Sequence, residues 1–265
     1  MKTYVIAEIG CNHLGDMTLA KDIIAGARVA GADAVKLQVY QVDKINDPAL
    51  HSFLTGCSFS REQHTELWKY SLLLGLDYIC SAFDVESVRM LADIGMSIIK
   101  IPSGQIHSPS CLIEAFKYDW DVIVSTGMCE LAKIKDVIRL AFVENYDLKR
   151  LSLLHCVSSY PLAEEHCNLL AIKSLDLCSD VKVGYSDHCM NKLSGACAVA
   201  VGAKIIEHHI KGYSKCDTPD NVVSFDPKEF YDYVKNIRTS EKMLGDGDKR
   251  VMDCEQKTLF RRDYR

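Results

Sequence analysis

Eight short, β-branched apolar runs recur along the chain, at residues 4–9, 34–40, 78–83, 97–102, 122–125, 151–157, 181–186 and 204–210. Stretches with helical periodicity separate them, at 17–30, 61–74, 85–94, 110–118, 131–144, 169–178, 191–201 and 227–243. Strand–helix alternation predicts parallel βαβ units, because a parallel strand needs a crossover that a helix can supply. Eight such units in 265 residues predict a closed α/β TIM (β/α)8 barrel, rather than an open doubly wound sheet. No Gly/Ser linker divides the chain. We expect one barrel domain over residues 1–243 and a charged tail over 244–265 that wraps the outside or stays mobile. Two connections are long, 41–60 and 211–226. Both leave the carboxyl ends of strands, where barrels build their sites.

The polar residues at those carboxyl ends are the candidate chemistry. They are Glu8, Asn12 and His13, then Lys36 and Gln38, then Ser81, Phe83 and Asp84. Lys100, Ser103 and Gln105 follow, then Ser125 and Thr126, then His155, Ser158 and Tyr160. Tyr185 to His188 and the stretch 204–224 complete the set. In that last stretch, strand alternation puts Glu207 and His209 on one face and His208 on the other, so His208 is not a ligand. The loop after it holds Asp217, Asp220 and Asn221. Any one of these could be a capped strand end. Ionised groups on most of eight strand ends are costly in a barrel mouth unless a ligand or metal compensates them.

Composition narrows the class. Apolar content of 48% with 25% charged residues supports a sizeable core. A net charge of −5 without long basic runs argues against a nucleic-acid partner. Residues 4–10 are apolar but too short to span a membrane. These features predict a cytoplasmic protein without a membrane partner. The 12 cysteines form no CxxC pair, and Cys80, Cys156 and Cys197 sit within apolar runs. We therefore expect reduced, buried cysteines acting as small hydrophobes, with Cys11 or Cys156 as a minor candidate for a catalytic thiol.

The segments AEIGCNHLGD (7–16), GADAVKLQ (31–38), KIPSGQI (100–106), STGM (125–128), LLHCVSSYP (153–161), GYSDH (184–188) and GAKIIEHH (202–209) together resemble the N-acetylneuraminate (sialic acid) synthase family. That resemblance implies condensation of phosphoenolpyruvate with an N-acetylated hexosamine, giving a sialic-acid-like nonulosonic acid and phosphate. By match to the family's motifs, His188 and His209 would bind a divalent metal: manganese first, magnesium or cobalt as alternatives. Lys36, Gln38, Ser81, Lys100, Ser103 and Ser186 would hold phosphoenolpyruvate. Glu8, Gln105 and Glu207 fall at the catalytic positions, and Phe83, Tyr160 and Asp220 on the sugar side. The resemblance also implies a homodimer. The family normally continues into a small antifreeze-like (SAF) domain; the resemblance implies that here it is a separate partner chain, has been cut from this one, or is replaced by the two long connections.

The motifs depart from the family in places. Gln105 replaces a glutamate, losing charge and proton transfer. Ala82 replaces a proline, and TPDN (218–221) replaces GPDH. Gln105 and the missing second domain keep an alternative open, a non-catalytic or partner-dependent descendant. A Schiff-base aldolase using Lys36 or Lys100 is a third reading.

Overall fold

A computed structural model of the protein describes residues 2–45, 47–176, 180–213 and 218–263. Cys178, Asp217 and the last two residues of the RRDYR segment lie outside the described residues. Strands β1 (Tyr4–Glu8), β2 (Ala34–Val39), β3 (Asp77–Ala82), β4 (Ile98–Ile101), β5 (Asp121–Ser125), β6 (Leu151–Cys156), β7 (Lys182–Asp187) and β8 (Ile205–Ile210) pair in chain order, all parallel. β8 returns to β1, with Glu8 opposite His209, and closes the barrel. A two-residue strand, β9 (Ser224–Phe225), adds to the end of β8. Around the barrel run α1 (Met17–Val29), α2 (His51–Cys57), α3 (Arg61–Leu73), α4 (Val85–Ile94), α5 (Ser110–Ala115), α6 (Leu131–Val143), α7 (Ala171–Leu175), α8 (Ser194–Ala200) and α9 (Pro227–Leu244). The chain thus forms the expected TIM barrel.

The strand bounds agree with the hydrophobic pattern to within one residue. Helices α5, α7 and α8 are shorter than their periodicity suggested, and α2 and β9 were not anticipated. Helix starts follow local chemistry. Asp16 accepts from the amide of Thr18 at 2.7 Å to cap α1, and Ser60 with Gln63 forms a capping box on α3. α9 opens on Asp226, Pro227 and Glu229 in the same way.

Alternation sorts each strand into two sets. The outward set (Val5, Ala7, Val35, Leu37, Val122, Val124 and their equivalents) packs under the helices as the main core. The inward set stacks in three layers. At the carboxyl end stand Glu8, Lys36, Ser81, Lys100, Ser125, Cys156, Ser186 and Glu207. Below them Ile6, Ala34, Ile79, Ile123, Leu154 and Ile205 form a separate apolar cluster that plugs the barrel. Gly184 belongs to this middle layer, and a Cβ there would strike the Ile205 carbonyl, so only glycine lets β7 and β8 approach. At the amino end the layer turns polar again.

The cysteine expectation holds in part. All ten cysteines among the described residues are free, and seven are buried. Cys197 is the correction: it is exposed, because α8 turns that position away from the barrel.

Candidate active site at the carboxyl ends of the strands

The upper inward layer lines a cavity of about 380 Å³. Its floor is a buried charge network. Lys36 Nζ lies 2.8 Å from Glu8 Oε2 and 3.7 Å from Glu207 Oε1, and donates to Ser81 Oγ at 2.7 Å. Lys100 Nζ donates to both Glu207 oxygens at 3.2 Å. Ser186 donates to Glu207 Oε1 at 3.0 Å, and Gln38 to Glu8 Oε1 at 3.1 Å. These four charged side chains come from β1, β2, β4 and β8, so barrel closure alone brings them together.

The two carboxylates differ in environment. Burial disfavours the charge on each. For Glu207 two lysines and Ser186 outweigh burial and hold it down to about 2. Glu8 has only Lys36 and Gln38 against burial and the nearby Glu207 charge, and is pushed up to about 7. Burial and Lys36 together lower Lys100, whereas its two carboxylate neighbours raise Lys36 despite burial. Glu207 is thus a fixed anion, and Glu8 is a carboxyl able to take and give a proton near neutral pH.

Above the network, His188, His209, Tyr160 and Asp220 meet at the mouth. The imidazole centroids of His188 and His209 lie 5.6 Å apart, with Tyr160 against both. His188 Nδ1 bonds to the Val157 carbonyl at 2.9 Å, leaving Nε2 for the cavity. Burial would lower its pKa, but Cys156 and the carbonyl reverse that. His209 Nδ1 is buried without a hydrogen bond, 3.9 Å from Asp220 Oδ1. Burial and the cations around it keep His209 well below the usual imidazole range. Asp220 accepts from the Cys11 amide at 2.9 Å. Gly10, at φ 54°, makes room: a Cβ there would collide with the Asp220 carboxylate. Two buried imidazoles, one with an orphan nitrogen, are residues of the type that could hold a divalent cation. No cluster of three His, Cys, Asp or Glu able to hold a metal occurs among the described residues.

Most of the anticipated residues converge here. Glu8, Lys36, Gln38, Ser81, Phe83, Lys100, Ser103, Tyr160, Ser186, His188, Glu207, His209 and Asp220 all line the cavity. Gln105 does not. It closes the 3₁₀ turn Ser103–Gln105, and its Oε1 accepts from the Cys111 thiol at 3.8 Å. Other strand-end candidates are structural. Asp84 caps α4 and takes the Gln41 amide. Asp187 binds Ser194 and Tyr233. His155 stacks on Tyr185. Sequence reasoning singled out Ser125 only as a strand-end polar residue and Cys156 only as a minor thiol candidate, and it gave Met128 no role; all three line the cavity. Strand parity puts Ser125 and Cys156 in the inward register of β5 and β6. Met128 is set by a positive φ of 59° after β5, and no pattern announces it.

This constellation has known relatives. The NeuB family model matches residues 23–249, and the chain belongs to that family. It is 34% identical over 275 residues to the N,N'-diacetyllegionaminic acid synthase of Legionella pneumophila, covering 96% of this chain and 77% of that protein. It is 31% identical over 268 residues to the human N-acetylneuraminate-9-phosphate synthase, covering 95% and 74%. The crystal structure of the N-acetylneuraminic acid synthetase from Leptospira borgpetersenii superposes with a TM-score of 0.92 at 31% identity, covering 99% of this chain and 92% of that one.

Proposed function

We propose that this protein condenses phosphoenolpyruvate with an aldose, an N-acetylmannosamine-like amino sugar, to give a nonulosonic acid and phosphate. One observation carries the reading. Among the described residues, two buried side-chain polar atoms lining this cavity, Ser125 Oγ and His209 Nδ1, lack a hydrogen bond, and a third, Glu8 Oε2, is held only by the Lys36 ammonium at 2.8 Å. Buried orphans are rare in folded proteins, and their convergence marks groups held ready for a ligand. The relatives named above, synthases of legionaminic and N-acetylneuraminate-type acids, supply the reaction class.

The roles follow from the residue types. Lys36, Lys100, Ser81, Ser103 and Ser186 offer donors to a phosphate and a carboxylate. Gln38 orients Glu8. The methylene carbon of phosphoenolpyruvate attacks the aldehyde carbon, and the new alkoxide takes up a proton. The phosphate-bearing carbon becomes cationic, water adds there, and phosphate leaves. Glu8 can remove the proton from that water, and Glu207 stabilises the cation. No Schiff base is needed, so the lysines act as cations. His188 and His209 would hold the divalent cation, for which manganese is our first choice, and it would supply Lewis acidity to the aldehyde oxygen. Phe83, Tyr160 and Asp220 would face the sugar.

The test is phosphate release from phosphoenolpyruvate with manganese and a panel of aldoses, including N-acetylmannosamine and its 6-phosphate. We expect release only with an acceptor present, and loss of release on chelation. Binding of phosphoenolpyruvate by calorimetry without release from any aldose would instead support a non-catalytic or partner-dependent role.

A further inference from the structure

The opposite end of the barrel holds a second cavity, of about 320 Å³, lined by the first inward layer of the strands. The apolar plug of Ile6, Ala34, Ile79, Ile123, Leu154 and Ile205 separates it from the site above. Its charges are segregated. Asp77 and Asp121 lie on β3 and β5, whereas Lys182 and Lys204 lie on β7 and at the entry to β8, the far side of the ring. Ile98, Ile123 and Ile205 form the apolar surface between them.

The groups are only partly used. Asp77 accepts one hydrogen bond from Tyr4 at 2.6 Å through Oδ2, and Asp121 one from Arg150 at 3.1 Å through Oδ1. Each keeps a second oxygen. Lys182 and Lys204 form no ion pair among the described residues. Ser152 opens into the cavity between the two halves, paired in register with Ile123 on one side and Lys182 on the other. It is 5% exposed, and its hydroxyl opens to the cavity. Ser152, nine-tenths buried with its hydroxyl open to the cavity, lies between an anionic and a cationic wall over an isoleucine floor, and together these groups form an incomplete polar site.

We propose that this lower cavity binds a small zwitterion whose charged ends are separated by an apolar body, such as an ω-amino acid. Its ammonium faces Asp77 and Asp121, its carboxylate faces Lys182 and Lys204, and its methylenes lie on the isoleucines. A simple anion would leave the acidic wall idle, and a simple amine the basic one. This site is independent of the chemistry proposed for the upper cavity.

Isothermal titration of the full chain with 6-aminohexanoate, hexanoate and hexylamine tests the assignment. We expect 6-aminohexanoate to bind at least tenfold more tightly than either single-charge analogue, with saturating phosphoenolpyruvate making no difference. Lys182→Ala/Lys204→Ala and Asp77→Asn/Asp121→Asn should each lose tenfold or more. Ser152→Ala, which keeps every charge and serves if the paired variants do not fold, should lose about threefold. The proposal is overturned if none of the three compounds binds, or if a single-charge analogue binds as well as the zwitterion. Competition by phosphoenolpyruvate, or binding unaffected by these variants, overturns it equally.

Discussion

His208 and His209 are neighbours in the chain and live in opposite environments. His208 points out of the barrel. Its Nδ1 meets the His209 carbonyl and its Nε2 the Cys189 carbonyl, both at 3.0 Å, and its ring stacks on Phe225 at 4.1 Å. His209 points inward, and its Nδ1 has no hydrogen bond at all. The same contrast runs through the polar residues near the strand ends. Those facing outward, such as Asp84, Asp187 and His155, spend their hydrogen-bonding capacity on helix caps, loops and rings. Those facing inward meet one another and keep capacity in reserve. Residue type therefore says little at these positions, and strand parity says a great deal, because it decides whether the fold or a ligand satisfies the group.

The inward side is where the largest effect is expected. Glu207→Ala would leave Lys36 and Lys100 buried around a vacated counterion. Unfolding in urea should show a loss of about 3–5 kcal/mol, and phosphate release should vanish. Stability within about 1 kcal/mol of the parent would break the view of Glu207 as the network's shared anion.

Next come two outward-side histidines. Burial holds His13 and His64 down to about 4, against an ordinary value of 6.5. His13 stacks on Phe59 at 4.3 Å, and His64 bonds to the Tyr78 hydroxyl at 2.8 Å. Below 6.5 the unfolded chain takes up protons that the folded imidazoles refuse. Stability should therefore fall as pH drops from 6.5 towards 4, by up to about 3 kcal/mol per histidine, and the histidine contribution should level off below that. Urea titrations of the parent and of His64→Phe across this window measure it. An unchanged pH slope in the variant would contradict a neutral core histidine.

The adjacent pair gives the most direct comparison. His208→Ala should destabilise the fold by about 2–3 kcal/mol, through lost stacking on Phe225 and the loss of the imidazole's hydrogen bond to a backbone carbonyl, while manganese affinity stays intact. His209→Ala should change stability by less than about 1 kcal/mol, since it removes an unbonded nitrogen, and should abolish manganese affinity by calorimetry. A reversed pattern would mean that parity does not sort these residues. The smallest effect is reserved for Gln105. Because its side chain turns to Cys111 and away from the cavity, Gln105→Glu should alter turnover less than about threefold. A large gain would show that the position reaches the chemistry after all.

The chain by itself determined the barrel. Eight apolar runs at regular intervals, each followed by a helical period, have few ways to bury both faces of a parallel sheet, and the strand bounds follow the pattern to within one residue. The sequence also placed Glu207 and His209 together and His208 apart, since alternation is local. It did not announce α2, seven residues with no side-chain N-cap, or β9, whose two residues owe their pairing to the distant end of β8. Above all, it could not say which strand-end polar groups meet. Glu8, Lys36, Lys100 and Glu207 share one network only because β8 closes onto β1, and their unequal proton affinities arise from that contact. Gln105 sits next to a site segment in the chain and still turns away, because a single 3₁₀ turn redirects it. Local periodicity is written residue by residue, whereas burial and charge coupling exist only once distant strands have been brought side by side.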